Sequence, residues 1–240
     1  MADVPAPHRP LRVVGAIVRE AQATAATAVL PWFGRRPMPK ARPVEGRRPV
    51  ILVHGFLGHP EILRPIAVHL LREGWPRVER VHYSSFDTHF EQILDQIDAI
   101  ASTMDGRIDL VGHSLGAVAC RAWIQTRGGA ARCERFVALA APFGGTSLYR
   151  MVPGPLRRAL DPRGEWVTRL ATLDNDVQTT VIRARYDTSV LPARRQTLGG
   201  DDVREIVLDG LGHNGMLWSP RVAEAVAKAL LEEKKENPGV

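Results

Sequence analysis

The sequence predicts an α/β fold with a mostly parallel central sheet and helices on both of its faces. Three observations predict it. Short apolar runs alternate with segments of helical periodicity from residue 49 onward, the pattern of βαβ units. Runs such as Val50–Val53 lack polar alternation, as strands buried on both faces do. And Gly112-His113-Ser114-Leu115-Gly116 falls between an apolar run and a helical stretch, the setting of a sharp strand-to-helix turn.

Residues 10–30 read as an amphipathic helix opened by Pro10 and closed by Pro31, with Leu11, Val14, Val18 and Ala21 on one face. Residues 34–48, with Pro37, Pro39 and Pro43, read as an irregular linker. Strands are expected at Val50–Val53, Val78–Tyr83, Ile108–Val111, Phe136–Ala140, Thr180–Ala184 and Val203–Leu208. Helices are expected over 60–72, 88–104, 115–126 and 220–233. The chain thus divides into a basic extension, 1–48, and a main α/β domain, 49–240, in which the Arg- and Pro-rich segment 147–178 is either a small cap over the carboxyl ends of the strands or an ordinary helical connection.

The composition, 45% hydrophobic and 24% charged, suits a globular domain with a sizeable core. The net charge of +6 resides in the extension, which holds nine basic and three acidic residues; the remainder is balanced. No basic patch interleaved with aromatics accompanies it, so nucleic acid is not an expected partner. Trp32, Phe33, Arg35 and Arg36 follow the amphipathic stretch, so residues 10–36 suit either peripheral contact with a membrane or packing on the main domain. The apolar run Val13–Val18 ends at Arg19-Glu20 and makes a poor signal peptide, and a cytoplasmic location is expected. Cys120 and Cys133 have neither metal nor redox spacing; no metal or cofactor is expected.

Parallel sheets carry their chemistry at the carboxyl ends of the strands. A G-x-S-x-G match arises by chance in about 5% of shuffled sequences of this composition. Its position here, after Ile108–Val111 and before a helix, makes Ser114 the candidate nucleophile. A hydroxyl needs a base and the base an orienting carboxylate. His213, in Gly212-His213-Asn214-Gly215 after the Val203–Leu208 strand, is the candidate base. Asp187, just past Thr180–Ala184, is the candidate acid; Asp209 is its competitor, while Asp174 and Asp176 lie between elements. After the first strand comes His54-Gly55-Phe56-Leu57-Gly58. Its Phe56 N–H, with Leu57 as fallback, and the N–H of Leu115 are the candidate donors to an oxyanion.

On these residues the chain resembles the α/β-hydrolase superfamily and, within it, bacterial lipases and esterases. The matching pieces run from Val53-His54-Gly55-Phe56 through the elbow, Pro142-Phe143-Gly144-Gly145-Thr146 and Tyr186-Asp187 to Gly212–Leu217. Phe143 departs from the resembling group, where histidine often stands. The resemblance implies the α/β-hydrolase fold, the chain order Ser, Asp, His and a small-molecule ester or lipid as substrate. Substrate-contact candidates are His54, Gly55, Leu57, His113, Phe143 and Met216. Thioesterase, acyltransferase and amidase chemistry use the same triad and stay open. So does a non-catalytic scaffold that binds lipid or protein.

Overall fold

The structure, a computed structural model, describes residues 20–25, 37–172, 177–200 and 202–232. Six strands form one sheet in the order β2-β1-β3-β4-β5-β6, and all five pairings are parallel. They are β1 Val50–Val53, β2 Val78–Arg80, β3 Ile108–His113, β4 Cys133–Leu139, β5 Gln178–Ala184 and β6 Val203–Leu208. Every residue of β1 and β3 is buried, as their unbroken apolar runs require. The edge strand β6 is exposed along Arg204 and Glu205, and these charges discourage pairing with another chain.

The helices are α1 Arg64–Arg72, α2 Phe90–Ala101, α3 Leu115–Thr126, α4 Glu165–Ala171 and α5 Pro220–Ala229. The faces of the sheet bury separate apolar clusters. One contains Ile93, Leu94, Val118, Trp123 and Leu156, contributed by α2, α3 and the segment after β4. The other contains Ile66, Leu70, Val222 and Val226, contributed by α1 and α5. This is the two-faced architecture expected.

Several boundaries differ from the expectation. The turn before α1, Pro60–Leu63, is a 3-10 helix that opens on Pro60, with the His59 ring accepting from the Glu61 N–H. Strand β2 stops at Arg80 because its partner β1 is four residues long; the last bond across is Val81 N–H to Leu52 O, 2.9 Å. Strand β4 begins three residues early, at Cys133, where it already pairs with Ile108. Its Arg135 hides its guanidinium by donating to Glu232 O at 2.7 Å. Helix α5 ends at Ala229.

Residues 20–25 are helical, and the rest of the amphipathic stretch, with the Trp32–Arg36 cluster, lies outside the described residues. Within it Ala23, not Ala21, is buried, because Glu20 and Thr24 turn toward Asn214 and set the helix's rotation. Residues 37–49 run irregularly, tied down by Val44 N–H to Gly74 O at 3.0 Å and by Arg64 to Pro37 O at 2.8 Å. Cys120 and Cys133 are buried free thiols. Among the described residues no helix is long and apolar enough to cross a membrane.

Asp109 on β3 is fully buried; Oδ1 accepts from Arg135 N–H at 3.1 Å, while Oδ2 has no partner. Burial pushes its carboxyl up to about 7, against the pull of Arg48 and Arg135. A raised aspartate favours the fold in its protonated form, so its stabilisation is full below the ordinary aspartate range and fades as pH rises toward about 7. Asp109→Asn keeps the acceptor oxygen without the charge. Thermal melts across pH should show the variant several degrees more stable than the wild type at alkaline pH, with the gap closing in acid. A gap that does not change with pH would contradict this account.

Candidate active site

Between β2 and β3 the chain crosses over β1, and the ends of β1 and β3 flank the crevice this leaves. Strain gathers along this rim. Among the described residues the non-glycine positions with positive φ are Leu57, Ser114 and Ala140, which follow β1, β3 and β4. Ser114 has φ 53° and ψ −123° between the last residue of β3 and the first of α3. Such a backbone lifts the side chain out of the turn, and Ser114 is half-buried, open to solvent on one side. The flanking glycines permit it. A Cβ on Gly116 would stand 2.3 Å from Val53 O and 2.4 Å from His54 O, and one on Gly112 2.4 Å from Ala117 Cα.

His213 Nδ1 lies 2.8 Å from Asp187 Oδ2, both side chains nearly sealed from solvent. The other oxygen, Asp187 Oδ1, accepts from the amides of Ser189 at 2.8 Å and Val190 at 2.9 Å, so the carboxylate is fixed by its own turn. Burial disfavours both charges, yet each is favoured by the other. Asp187 is held below the usual carboxylate range by His213 and these amides, and His213 is raised above the usual imidazole value by Asp187 and Glu20. The competitor Asp209 is exposed and paired with Arg185, and among the described residues no hydrogen bond joins it to His213. Asp174 and Asp176 lie outside the described residues.

His213 is set beside the elbow by His113, which precedes Ser114. Burial lowers the His113 imidazole to about 3, so the ring is neutral; its Nε2 faces His213 O at 3.0 Å and must carry the proton that it donates there. The two rings are 4.8 Å apart. Among the described residues no hydrogen bond joins Ser114 to His213. In hydrolases without substrate this contact is often long and tightens on binding.

The loop after β1 meets the elbow closely: a Cβ on Gly55 would be 2.8 Å from Ser114 Cβ. The N–H of Leu57 donates to Ser85 Oγ at 2.8 Å, so the fallback oxyanion donor is engaged. The N–H groups of Phe56 and Leu115 donate to nothing among the described residues. His54 is fully buried, its ring stacked on Tyr83 at 4.0 Å, with Tyr83 O–H donating to His54 O at 2.7 Å. Its surroundings are those of a loop-shaping residue rather than a substrate contact. Met216 is likewise fully buried in the cluster beneath α1 and α5, a packing position. Phe143 packs edge-on against Phe136 under the Arg121 guanidinium. Leu57 is exposed at the rim.

Two positioning groups were not singled out from the sequence, Ser85 and Glu20; Thr146 belongs to the matched stretch Pro142–Thr146, expected with Gly144 and Gly145 to shape the pocket rim. Thr146 Oγ1 donates to Ser189 O at 2.8 Å and accepts from Leu191 N–H at 3.3 Å, bracing the loop that bears Asp187. The segment after it forms 3-10 turns, Ser147–Met151 and Pro155–Leu160, and then α4. Leu156, Ala159, Leu160 and Leu170 anchor it in the core, and Trp166 packs on Phe90 at 4.7 Å. Among the described residues no cluster of His, Cys, Asp and Glu could hold a metal ion.

The parallel sheet, the strained serine elbow and the buried imidazole–carboxylate pair define an α/β-hydrolase. The lipase BlEst2 of Bacillus licheniformis in mature form superposes with a TM-score of 0.67 at 12% identity, covering 82% of this chain and 96% of that one. The monoacylglycerol lipase of Paleococcus ferrophilus gives 0.61 at 16%, covering 80% and 96%. The thioesterase domain from the curacin biosynthetic pathway gives 0.57 at 16%, covering 80% and 93%. No curated protein matches the sequence. The family model described as palmitoyl protein thioesterase matches residues 49–191, and the chain belongs to that family, among hydrolases that act on esters.

Proposed function

We propose that the chain hydrolyses carboxylic esters of small molecules or lipids through an acyl-enzyme on Ser114, with His213 as general base and Asp187 as its orienting carboxylate. The observation that carries the reading is the Asp187–His213 pair at 2.8 Å beside a serine held at φ 53°. With Nδ1–H donated to Asp187, the neutral imidazole keeps its Nε2 lone pair for the Ser114 hydroxyl proton. Ser114 Oγ attacks the ester carbonyl. The oxygen that becomes negative is received by the N–H groups of Phe56 and Leu115, which have no other partner among the described residues. His213 then gives its proton to the leaving alcohol, and the acyl group stays on Ser114. Water attacks that acyl-enzyme, again losing its proton to His213, and the acid departs as Ser114 recovers its hydrogen. Gly55 gives the carbonyl room beside Ser114, while His113, Leu57 and Phe143 line or support the approach.

A second reading keeps every step and replaces the ester oxygen by sulfur. The match to a palmitoyl protein thioesterase family favours it. A series of p-nitrophenyl esters from acetyl to palmitoyl, run beside acyl thioesters of the same lengths, separates the two. The oxygen-ester reading expects higher kcat/KM on the oxygen series. Faster thioester cleavage at matched length would move the assignment to sulfur. A protein that turns over neither series and takes no fluorophosphonate label on Ser114 would defeat both.

A further inference from the structure

The His213 loop is held from a direction the triad does not use. Glu20, in the helical residues 20–25 of the N-terminal extension, receives the amide of Asn214 on Oε1 at 2.8 Å and on Oε2 at 3.0 Å. Its Oε2 also receives the amide of Gly215 at 2.9 Å. The same helical segment supplies Thr24, whose Oγ1 lies 3.1 Å from Asn214 Nδ2. These partners stand 194 and 190 residues apart in sequence. Gly212 makes the approach possible, since a Cβ there would be 2.4 Å from Glu20 Oε2. The residues directly before and after His213 are therefore both fitted to one carboxylate.

An ionised carboxylate on backbone amides makes stronger hydrogen bonds than a neutral acceptor does. It also adds negative charge near an imidazole that must become positive during turnover. The charged or titratable groups facing His213 are Asp187 from the loop after β5, His113 from β3, and Glu20; His54 lies beyond His113. Of these, His113 is neutral, so Asp187 and Glu20 are the two anions.

We propose that Glu20 is a positioning residue for the acyl-transfer base: through Asn214 and Gly215 it fixes the loop that carries His213, and the N-terminal extension is thereby a working part of the active site. The inference rests on the triad reading above. Glu20 touches no substrate and acts only through the loop.

Full-length Glu20→Ala, Glu20→Gln and Gly212→Ala test it. Glu20→Ala removes all three hydrogen bonds and should lower kcat about 10- to 100-fold with KM little changed, as slight misplacement of a catalytic group does. Gly212→Ala pushes the carboxylate away from the opposite side and should reproduce the loss, and the double variant should be no worse than either single one. Glu20→Gln keeps an acceptor oxygen but loses the charge. The imidazole of His213, followed by NMR, should then titrate at lower pH, and the acid limb of kcat/KM should move with it. A purely structural contact would lower the melting temperature and leave both titrations in place. Unchanged kcat in Glu20→Ala and Gly212→Ala, or an unmoved His213 titration in Glu20→Gln, overturns the inference. Ser114→Ala in the same assay separates the two levels. Full turnover there overturns the triad itself, whereas loss there with no response at Glu20 overturns only the role of Glu20.

Discussion

Ser114→Ala should lower kcat/KM on an activated ester by at least about a thousandfold while the protein keeps its fold. The size follows from what one oxygen supplies. In the proposed mechanism no acyl-enzyme forms without it, and His213 has only water to activate. The amides of Phe56 and Leu115 remain, so a residue of catalysis over the uncatalysed rate should persist. The fold should survive because Ser114 Oγ joins none of the hydrogen bonds that fix the turn. Those are Ser114 N–H to Leu139 O at 2.8 Å and the helical bonds to Ser114 O. Alanine's lack of left-handed preference costs serine's position nothing extra, since both carry a Cβ. Measurement of kcat/KM with circular dichroism on the same sample decides the matter; wild-type turnover in the variant would remove Ser114 from the mechanism.

Gly116→Ala should be the most damaging single methyl in the region. Its Cβ would meet the main-chain oxygens of Val53 and His54 at 2.3 and 2.4 Å, and main-chain atoms cannot swing aside as a long side chain can. Relief requires α3 to back away from the end of β1. Overpacking of this kind costs about 3 kcal/mol, or about 10 °C in melting temperature for a domain of this size. Activity should fall further than stability, because the shift separates Leu115 from Phe56 and widens the space between the two proposed oxyanion donors. Gly199→Ala is the control: a Cβ there meets nothing within 4 Å, and its melting temperature should be unmoved. Equal melting temperatures for the two variants would show that the close approach of α3 to β1 is not a real constraint.

Much of the fold can be read from the sequence because burial on both faces leaves a simple imprint. Val50–Val53 and Val203–Leu208 are found as strands with the expected ends, and 115–126 as a helix. The ends that moved belong to residues whose partners are remote. Cys133 and Arg135 lie before the expected strand start at Phe136, yet β3 pairs with them and Glu232 O, 97 residues from Arg135, accepts its guanidinium. In the site, Asp187 and His213 stand out because each follows a strand, where a parallel sheet exposes its chemistry. Ser85 and Glu20 leave no such imprint. Each is a single polar residue whose significance lies in a partner 28 or 194 residues away, and neither periodicity nor spacing encodes that pairing. Met216 misleads for the opposite reason: it sits three residues from His213 in sequence, but the 3-10 turn Gly215–Trp218 rotates it into the core.

The bond from the His113 ring to the main chain of His213 joins the two halves of a tool at the handle. When the turn after β3 drifts, the proposed base should be carried along with it, so that displacement is common to both and largely cancels in the gap between them. Alignment is thereby protected without stiffening either loop outright.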